Sequence, residues 1–194
     1  MRIAIIDYGT GNTQSVKYAL KRLGCEGILT SDKEVISNSD KVIFPGVGQA
    51  SSAMKKLQSE GLDLLIPNLK QPVLGICLGM QLMCDFSEEG NTECLKIFNS
   101  KVKKFDNSLK VPQIGWNTIF DLKTSLFNSI SEKEYMYLVH SYFVPVISET
   151  ISTTKYGIDY STAIKKNNFT GVQFHPEKSG GKGEVILENF ITNS

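Results

Sequence analysis

The sequence predicts an α/β protein in which a mostly parallel sheet lies between two layers of helices. Two features of its hydrophobic pattern point to this fold. In the first half, short apolar runs alternate with amphipathic helical patterns, and the connections between them are short. Strand, helix and strand joined in this way form right-handed crossovers, which give a parallel sheet covered on both faces. The second half is richer in strand-like runs, which predicts antiparallel additions to the sheet.

The first half begins with a buried strand at Ile3–Ile6, which is followed by a helix. Asn12 is the expected N-cap of this helix and Gly24 its end, because these residue types favour the two ends of helices. The apolar face of the helix is formed by Val16, Ala19, Leu20 and Leu23. Further elements of this half are predicted at residues 42–44 (a buried strand), 50–59 and 62–69 (amphipathic helices).

The second half is predicted to consist mainly of strands and to close with a helix. Strand-like patterns occupy residues 101–105, 135–144, 151–156, 162–164 and 171–174, and the closing helix covers residues 185–191. With 194 residues and 41% hydrophobic content, the chain suits one globular domain over residues 1–194. The expected architecture is a flavodoxin-like three-layer sandwich.

A nucleophile elbow is predicted at Cys77. The apolar run at residues 72–74 passes straight into a helical pattern that extends to Phe86, which leaves room only for a sharp turn. Gly75 and Gly79 flank the cysteine at a distance of two residues, and glycines there let the chain pass without a Cβ clash. The thiol would project from the carboxyl end of a buried strand at a helix start, where the partial positive charge favours thiolate.

His175 is the candidate base for this thiol. A thiol nucleophile needs an imidazole base, which in turn needs a group to orient it. His175 follows an apolar run, and Glu177 stands two residues further on, beyond Pro176. Taken alone, the cysteine with its glycines fits a tight strand-to-helix turn, and His-Pro-Glu fits a surface turn. Together they favour a triad of Cys77, His175 and Glu177.

Further motifs extend the pattern over essentially the whole chain. They lie at residues 5–12, 45–48, 115–117, 140–142 and 175–179, in addition to the elbow at residues 75–81. In this order they resemble the class I glutamine amidotransferases, and among these the glutaminases of histidine biosynthesis. The resemblance implies that Cys77 attacks the side-chain amide of glutamine, that His175 moves the protons and that Glu177 orients the imidazole. It implies no cofactor.

The resemblance also implies a set of residues that bind the substrate glutamine. They are Gly46, Gly48 and Leu78 for the oxyanion hole, Gln81 for contact with glutamine, and Ser141 and Tyr142 for holding its amino acid end. Glycines suit an oxyanion hole because they let backbone amides turn toward a ligand. A plain turn is the alternative for residues 45–48. His140 sits in an apolar alternation and is expected to be a structural histidine.

A partner subunit is implied as well, because the chain offers no nucleotide loop or second domain with which to use ammonia. In the resembled enzymes, ammonia enters a (β/α)8-barrel cyclase subunit, HisF-like, which forms imidazole glycerol phosphate and AICAR. Trp116, Asn117 and Lys178 match positions at that interface. A core anchor is the alternative for Trp116. The loop at residues 9–12 is expected to be a plain βα turn or part of the interface.

Three other functions stay open on the sequence. Gln113 stands where many relatives carry histidine, and residues 180–183 form a glycine-rich turn. Because both features bear on the partner, a glutaminase that serves a sugar-modifying barrel is the nearest alternative. A catalytically silent binding protein of the same fold would not need the triad. A cysteine peptidase of related fold would not need Gln81 or the Trp116 face.

Composition and charge argue against several other classes. Lys and Arg number 21 against 20 Asp and Glu, which gives no electrostatic reason for a nucleic-acid or membrane partner. No apolar run approaches the ~20 residues that span a bilayer, and the amino-terminal run is too short for a signal peptide, so a cytosolic protein is expected. Four cysteines without a C-x-x-C pair and only two histidines favour neither a disulfide framework nor a metal site. Cys84 is expected on the core-facing side of a helix.

Overall fold

A mixed seven-stranded sheet forms the centre of the computed structural model, which describes residues 1–9 and 12–193. The strands are β1 (Ile3–Ile6), β2 (Gly27–Thr30), β3 (Lys41–Gly46), β4 (Val73–Cys77), β5 (Cys84–Ser87), β6 (Thr92–Glu93), β7 (Phe98–Lys104), β8 (Gln113–Ile119), β9 (Glu134–His140), β10 (Tyr142–Phe143), β11 (Thr150–Tyr156), β12 (Ile158–Lys166) and β13 (Phe169–Val172). The helices are α1 (Thr13–Arg22), α2 (Lys33–Ser37), α3 (Ala50–Glu60), α4 (Leu62–Leu65), α5 (Leu78–Leu82) and α6 (Gly180–Asn193). Short 3-10 turns lie at Ile66–Asn68, Ser125–Phe127 and Pro176–Lys178.

The main sheet has the strand order β11, β12, β13, β4, β3, β1, β2. The five strands from β13 to β2 pair in parallel, whereas β12 and β11 are added in antiparallel orientation at one edge. A separate four-stranded sheet contains β10, β7, β5 and β6, and β8 pairs with β9 in antiparallel orientation. The prediction of a mostly parallel sheet with antiparallel additions from the second half is therefore confirmed.

Two apolar clusters, one on each face of the main sheet, form most of the core. Ile3 and Ile5 of β1 belong to the cluster that also contains residues of α1 and α6. Ala4 and Ile6 belong to the cluster that contains residues of α3. A strand that is buried on both faces must be apolar throughout, which explains the continuous apolar run of β1. The predicted three-layer sandwich is thus confirmed.

The helix after Cys77 is shorter than predicted. It ends at Leu82, and the chain enters β5 at Cys84, so that Phe86 lies in a strand. The prediction of Cys84 as a helix residue was therefore wrong, although its side chain is buried. β5 pairs with β6 and β7, and these hydrogen bonds to segments further along the chain override the local helical pattern.

The side chain of Asn12 does not cap α1. Asn12 occupies the N-cap position with φ 78°, but its side chain makes no capping hydrogen bond and donates to Glu177 instead. The prediction of a capping role for this side chain was therefore wrong. Thr10 and Gly11, which belong to the loop predicted at residues 9–12, lie outside the described residues.

The glycine-rich segment at residues 180–183 is the first turn of α6 rather than a separate turn. A Cβ at Gly183 would lie 2.0 Å from the carbonyl oxygen of Pro176, so this helix start packs directly on the preceding 3-10 turn. The pattern did not predict β2, α2, β5, β6 or β8. These elements are short or largely exposed, and such elements carry little hydrophobic periodicity.

Candidate active site

Cys77 lies at the end of β4, at the turn into α5, with φ 54° and ψ −110°. Residues with a side chain rarely adopt such a positive φ, so the turn is strained. Glycines make it possible. A Cβ at Gly79 would lie 1.9 Å from the carbonyl oxygen of Phe44, and one at Gly75 would lie 2.9 Å from the backbone nitrogen of Met80. The predicted elbow geometry is therefore confirmed.

His175 and Glu177 meet just beyond β13. Nδ1 of His175 and Oε1 of Glu177 are 2.8 Å apart, and both side chains are buried. The 3-10 turn Pro176–Lys178 returns the carboxylate to the imidazole, which is the geometry that the spacing predicts. Oε1 also accepts a hydrogen bond from Nδ2 of Asn12. Because the carboxylate accepts from Nδ1, the other ring nitrogen is left for chemistry.

Burial and neighbouring groups act in opposite directions on His175. Burial lowers its pKa by disfavouring the imidazolium, but Cys77 and Glu177 outweigh this effect and raise the pKa to about 10. Nε2 of His175 and Oε2 of Glu177 are buried and form no hydrogen bond with any described residue. Nε2 is the ring nitrogen that Glu177 does not engage. This nitrogen is available to exchange a proton with the thiol.

Cys77 and His175 line one cleft of about 260 Å³. The other lining residues are Val47, Gly48, Leu78, Gln81, Glu89, Pro112, Val139, His140, Ser141 and Tyr142. All but one of the predicted glutamine-binding residues thus surround the cleft. The exception is Gly46, which pairs with Cys77 across β3 and β4. A Cβ at Gly46 would lie 2.6 Å from the hydroxyl of Tyr8, so this glycine provides space beside the elbow.

His140 has the contacts of a structural histidine, in agreement with the prediction. Its Nδ1 lies 2.8 Å from the carbonyl oxygen of Tyr142, and its Nε2 lies 3.1 Å from the hydroxyl of Tyr160. Burial lowers the pKa of His140 to about 4, so the ring is neutral at pH 7. The imidazole therefore holds the backbone of Tyr142 at the wall of the cleft.

Two polar residues near the nucleophile were not predicted from the sequence. Glu89 lines the cleft, and its Oε2 accepts a hydrogen bond of 2.9 Å from the backbone nitrogen of Ala50. Partial burial raises the pKa of Glu89. Gln173 lies with its Nε2 3.6 Å from Sγ of Cys77. A polar residue inside an apolar run was a usable signal for Gln173, whereas Glu89 stands in a polar segment that carries no such signal.

The three predicted interface residues all reach the surface, although to different degrees. Trp116 is 55% exposed on β8, which rules out the alternative of a core anchor. Asn117 is partly buried and donates a hydrogen bond of 3.1 Å to the carbonyl oxygen of Lys155. Lys178 is exposed at the end of the 3-10 turn that contains Glu177.

The described residues form no metal centre, membrane-spanning helix or disulfide. Within residues 1–9 and 12–193, no group of His, Cys, Asp and Glu side chains is arranged to hold a metal ion. No helix in these ranges is long and apolar enough to cross a membrane. Cys25, Cys77, Cys84 and Cys94 are free thiols.

The two histidines are expected to titrate far apart. In NMR spectra of the imidazole nitrogens, His140 should protonate only near pH 4, and His175 should stay protonated up to about pH 10. Glu177→Gln removes the carboxylate charge and should lower the pKa of His175 while His140 serves as an internal control. Because folding raises the pKa of His175, its contribution to stability is complete below the unfolded value of ~6.5 and is lost as pH rises toward 10. A His175 titration unchanged in Glu177→Gln would contradict this role of the carboxylate.

Comparison with known proteins agrees with this geometry. The family described as glutamine amidotransferase class-I matches residues 4–194. Imidazole glycerol phosphate synthase subunit HisH of Bacteroides fragilis (strain YCH46) is 55% identical to the chain, covering 98% of it and 99% of the relative. The protein of the same name from Haemophilus influenzae (strain Rd) is 47% identical, with coverages of 98% and 97%. Among solved structures, PurLQS from Thermotoga maritima shares the fold with a TM-score of 0.75 at 16% identity, covering 98% of this chain and 97% of that one. The chain therefore belongs to the class-I glutamine amidotransferase family, in the group of the HisH subunits of imidazole glycerol phosphate synthase.

Proposed function

We propose that this chain is a single-domain glutaminase subunit that works in the cytosol with a HisF-like (β/α)8-barrel cyclase. It hydrolyses glutamine to glutamate and ammonia, and the cyclase uses the ammonia to form imidazole glycerol phosphate and AICAR in histidine biosynthesis. One observation carries the proposal: a cysteine on a strained elbow shares a cleft with a buried His–Glu pair. The relatives named HisH supply the pathway.

The chemistry follows from the groups in the cleft. The raised pKa of His175 favours the imidazolium, so the proton of the Cys77 thiol resides on Nε2, and the thiolate attacks the carboxamide carbon of glutamine. The oxyanion that forms accepts hydrogen bonds from the amide of Leu78 and from the segment around Gly48. His175 then gives the proton to the departing ammonia, which leaves a glutamyl thioester. A water molecule activated by His175 releases glutamate and restores the thiol.

Glu89 is proposed to bind the α-ammonium group of glutamine. It is the only acidic side chain among the described residues that line the cleft, and the ammonium is the only cationic group of the substrate. Partial burial strengthens such a pair relative to one in water. Ser141 and Tyr142, which the resemblance assigns to the amino acid end of glutamine, line the same cleft. A free amino acid therefore suits this cleft better than a peptide, which lacks the charged amino group.

Glu89→Gln is expected to raise KM for glutamine about 10-fold with little change in kcat, because a hydrogen bond to a charged group contributes about 1.5–3 kcal/mol. Glutamine at this position can still accept the hydrogen bond from Ala50, so the fold should be unaffected. Steady-state glutamate release measures both constants. Glu88→Gln is the matched control, since Glu88 is exposed and does not line the cleft. An unchanged KM in Glu89→Gln would contradict the assignment.

The outward face of the β8–β9 pair is proposed to dock the cyclase. Ile114, Trp116 and Tyr135 are exposed there by 64%, 55% and 57%, a cluster of apolar side chains suited to a protein interface. Tyr137 lies on the same face, with its ring centroid 6.0 Å from that of Trp116 and 6.5 Å from that of His175. The face thus adjoins the catalytic histidine. A partner seated on it would receive ammonia close to the place where it forms.

The decisive experiment is the release of glutamate from free glutamine, measured with and without the cyclase and its nucleotide ligand. The chain alone should be nearly inactive, and partner plus nucleotide should increase kcat strongly. Trp116→Ala should weaken binding of the cyclase about 30-fold, the effect of a hot-spot residue worth ~2 kcal/mol. Tyr18→Ala is the control, because Tyr18 is 61% exposed on α1.

Each contrary outcome has a separate meaning. Strong hydrolysis by the isolated chain would contradict coupling to a partner. If the cyclase and its nucleotide do not increase the rate of glutamine hydrolysis, the partner assignment is contradicted. A glutaminase that serves a sugar-modifying barrel then becomes the leading alternative. Cleavage of peptide amides in place of free glutamine would favour the peptidase.

A further inference from the structure

A series of buried hydrogen bonds ends on the sulfur of Cys77. Nε2 of Gln81 donates to the carbonyl oxygen of Tyr142 at 2.8 Å and to Oε1 of Gln173 at 2.8 Å. Nε2 of Gln173 in turn donates to Sγ of Cys77 at 3.6 Å. Gln81 is 4% exposed and Gln173 is fully buried. The triad mechanism described above does not use Gln173.

The carbonyl oxygen of Tyr142 determines which group donates and which accepts in each of these hydrogen bonds. A backbone carbonyl only accepts hydrogen bonds, so Gln81 must present its NH2 group to Tyr142. The same NH2 group lies against Gln173, which must therefore turn its oxygen toward Gln81. The NH2 group of Gln173 is left to face Cys77. The network therefore determines which side-chain atom of Gln81 and of Gln173 is the oxygen and which is the nitrogen, an assignment that is otherwise ambiguous.

Gln173 lies beside the sulfur because it directly follows β13, two residues before His175. The backbone nitrogen of Gln173 donates to the carbonyl oxygen of Thr162, which continues the pairing of β13 beyond its end. The chain bends at Gln173 and Phe174, just beyond β13. Phe174 packs in the apolar cluster that contains residues of α1 and α6, whereas the side chain of Gln173 contacts the sulfur and His175 shares the cleft with Cys77. Gln173 and His175 therefore approach Cys77 together.

We propose that Gln173 is a further catalytic residue, which stabilises the thiolate of Cys77 by donating a hydrogen bond to the sulfur, and that Gln81 positions it. When the thiol proton passes to Nε2 of His175, the electron pair stays on sulfur and Gln173 keeps its own protons. Bulk water is excluded from this side of the sulfur because Gln173 is fully buried. A fixed donor then replaces the hydration that a thiolate has in water. The proposal rests on the proposed function for the role of Cys77 as nucleophile.

The test measures the reactivity of Cys77 directly, without glutamine or partner. Alkylation by iodoacetamide is followed across pH by mass spectrometry of the peptide that contains Cys77. Gln173→Glu keeps an acceptor for Gln81 but takes the donor from the sulfur, and Gln173→Leu removes both contacts. In each variant the alkylation rate at neutral pH should fall about 10- to 100-fold, the effect of losing a hydrogen bond to a charged group. The midpoint of the pH profile should move to higher pH.

Thr170→Val is the matched control, since Thr170 is a buried polar residue on β13 that does not touch the sulfur. Its alkylation profile should equal that of the unsubstituted chain. Unchanged profiles in Gln173→Glu and Gln173→Leu would overturn the proposal. If both variants fail to fold, the side-chain amide protons of Gln173 are compared by NMR in the unsubstituted chain and in Cys77→Ala. A shift caused by loss of the sulfur supports the contact, and identical resonances would overturn it.

Glutamine hydrolysis with the cyclase separates this proposal from the proposed function. Gln173→Glu should lower kcat and leave KM nearly constant, because the donor acts on the sulfur and not on bound glutamine. If the Gln173 variants have an altered alkylation profile but the unsubstituted chain hydrolyses no glutamine with the cyclase, the role of Gln173 as thiolate donor is upheld and the proposed function is contradicted. Normal hydrolysis with an unaltered profile would remove the donor and uphold the function.

Discussion

Cys77→Ala should abolish glutamine hydrolysis, with kcat in the presence of the partner falling by about 10⁴- to 10⁶-fold. Alanine offers no atom that can attack the carboxamide, and Cys77 is the only thiol among the described residues that line the cleft. The variant should still fold, because the side chain is small and alanine keeps the backbone of the elbow. Glutamate release with the cyclase and its nucleotide is the measurement.

Cys25→Ser is the control for the loss of a thiol as such. Cys25 is half-buried in the connection between α1 and β2 and does not line the cleft, so its substitution should leave kcat intact. Formation of a thioester with glutamine should be detectable by mass spectrometry in the control and absent in Cys77→Ala. Substantial hydrolysis in Cys77→Ala would mean that another group is the nucleophile, and the proposed mechanism would have to be abandoned.

Gly79→Ala should destabilise the protein by about 3 kcal/mol or more, the upper range for overpacking a tight interior. The added Cβ would lie 1.9 Å from the carbonyl oxygen of Phe44. This oxygen belongs to the main chain, so it cannot move away by a change of side-chain rotamer. Either β3 and α5 separate or the elbow changes shape. Both outcomes displace Cys77, so hydrolysis should be lost together with stability. Urea unfolding monitored by circular dichroism gives the free energy of unfolding.

Gly181→Ala is the matched substitution for this experiment. A Cβ at Gly181 meets nothing within 4 Å, and the residue lies in the first turn of α6. Alanine is favoured over glycine in helices by about 1 kcal/mol, so this variant should be as stable as the unsubstituted chain or slightly more stable. Equal stability of the two alanine variants would show that the close packing of α5 on β3 is not needed for the fold.

The sequence by itself determined the features that depend on residues close together in the chain. The elbow was predictable because Gly75 and Gly79 flank Cys77 at fixed spacing, and such a turn has few backbone solutions. The contact between His175 and Glu177 was predictable because Pro176 confines the chain between them. The apolar runs at the start of the chain and before the elbow indicated a sheet buried on both faces.

Only the tertiary structure decided the features that depend on segments far apart in the chain. It brings the elbow of β4 beside the end of β13, so that Cys77 and His175 share one cleft. It ends α5 at Leu82 because β5 finds partners in β6 and β7. It also brings Glu89 to the cleft and Gln173 to the sulfur. The physical reason is that hydrophobic periodicity specifies which side of an element is buried, whereas the partner that each polar group meets depends on how all the elements pack.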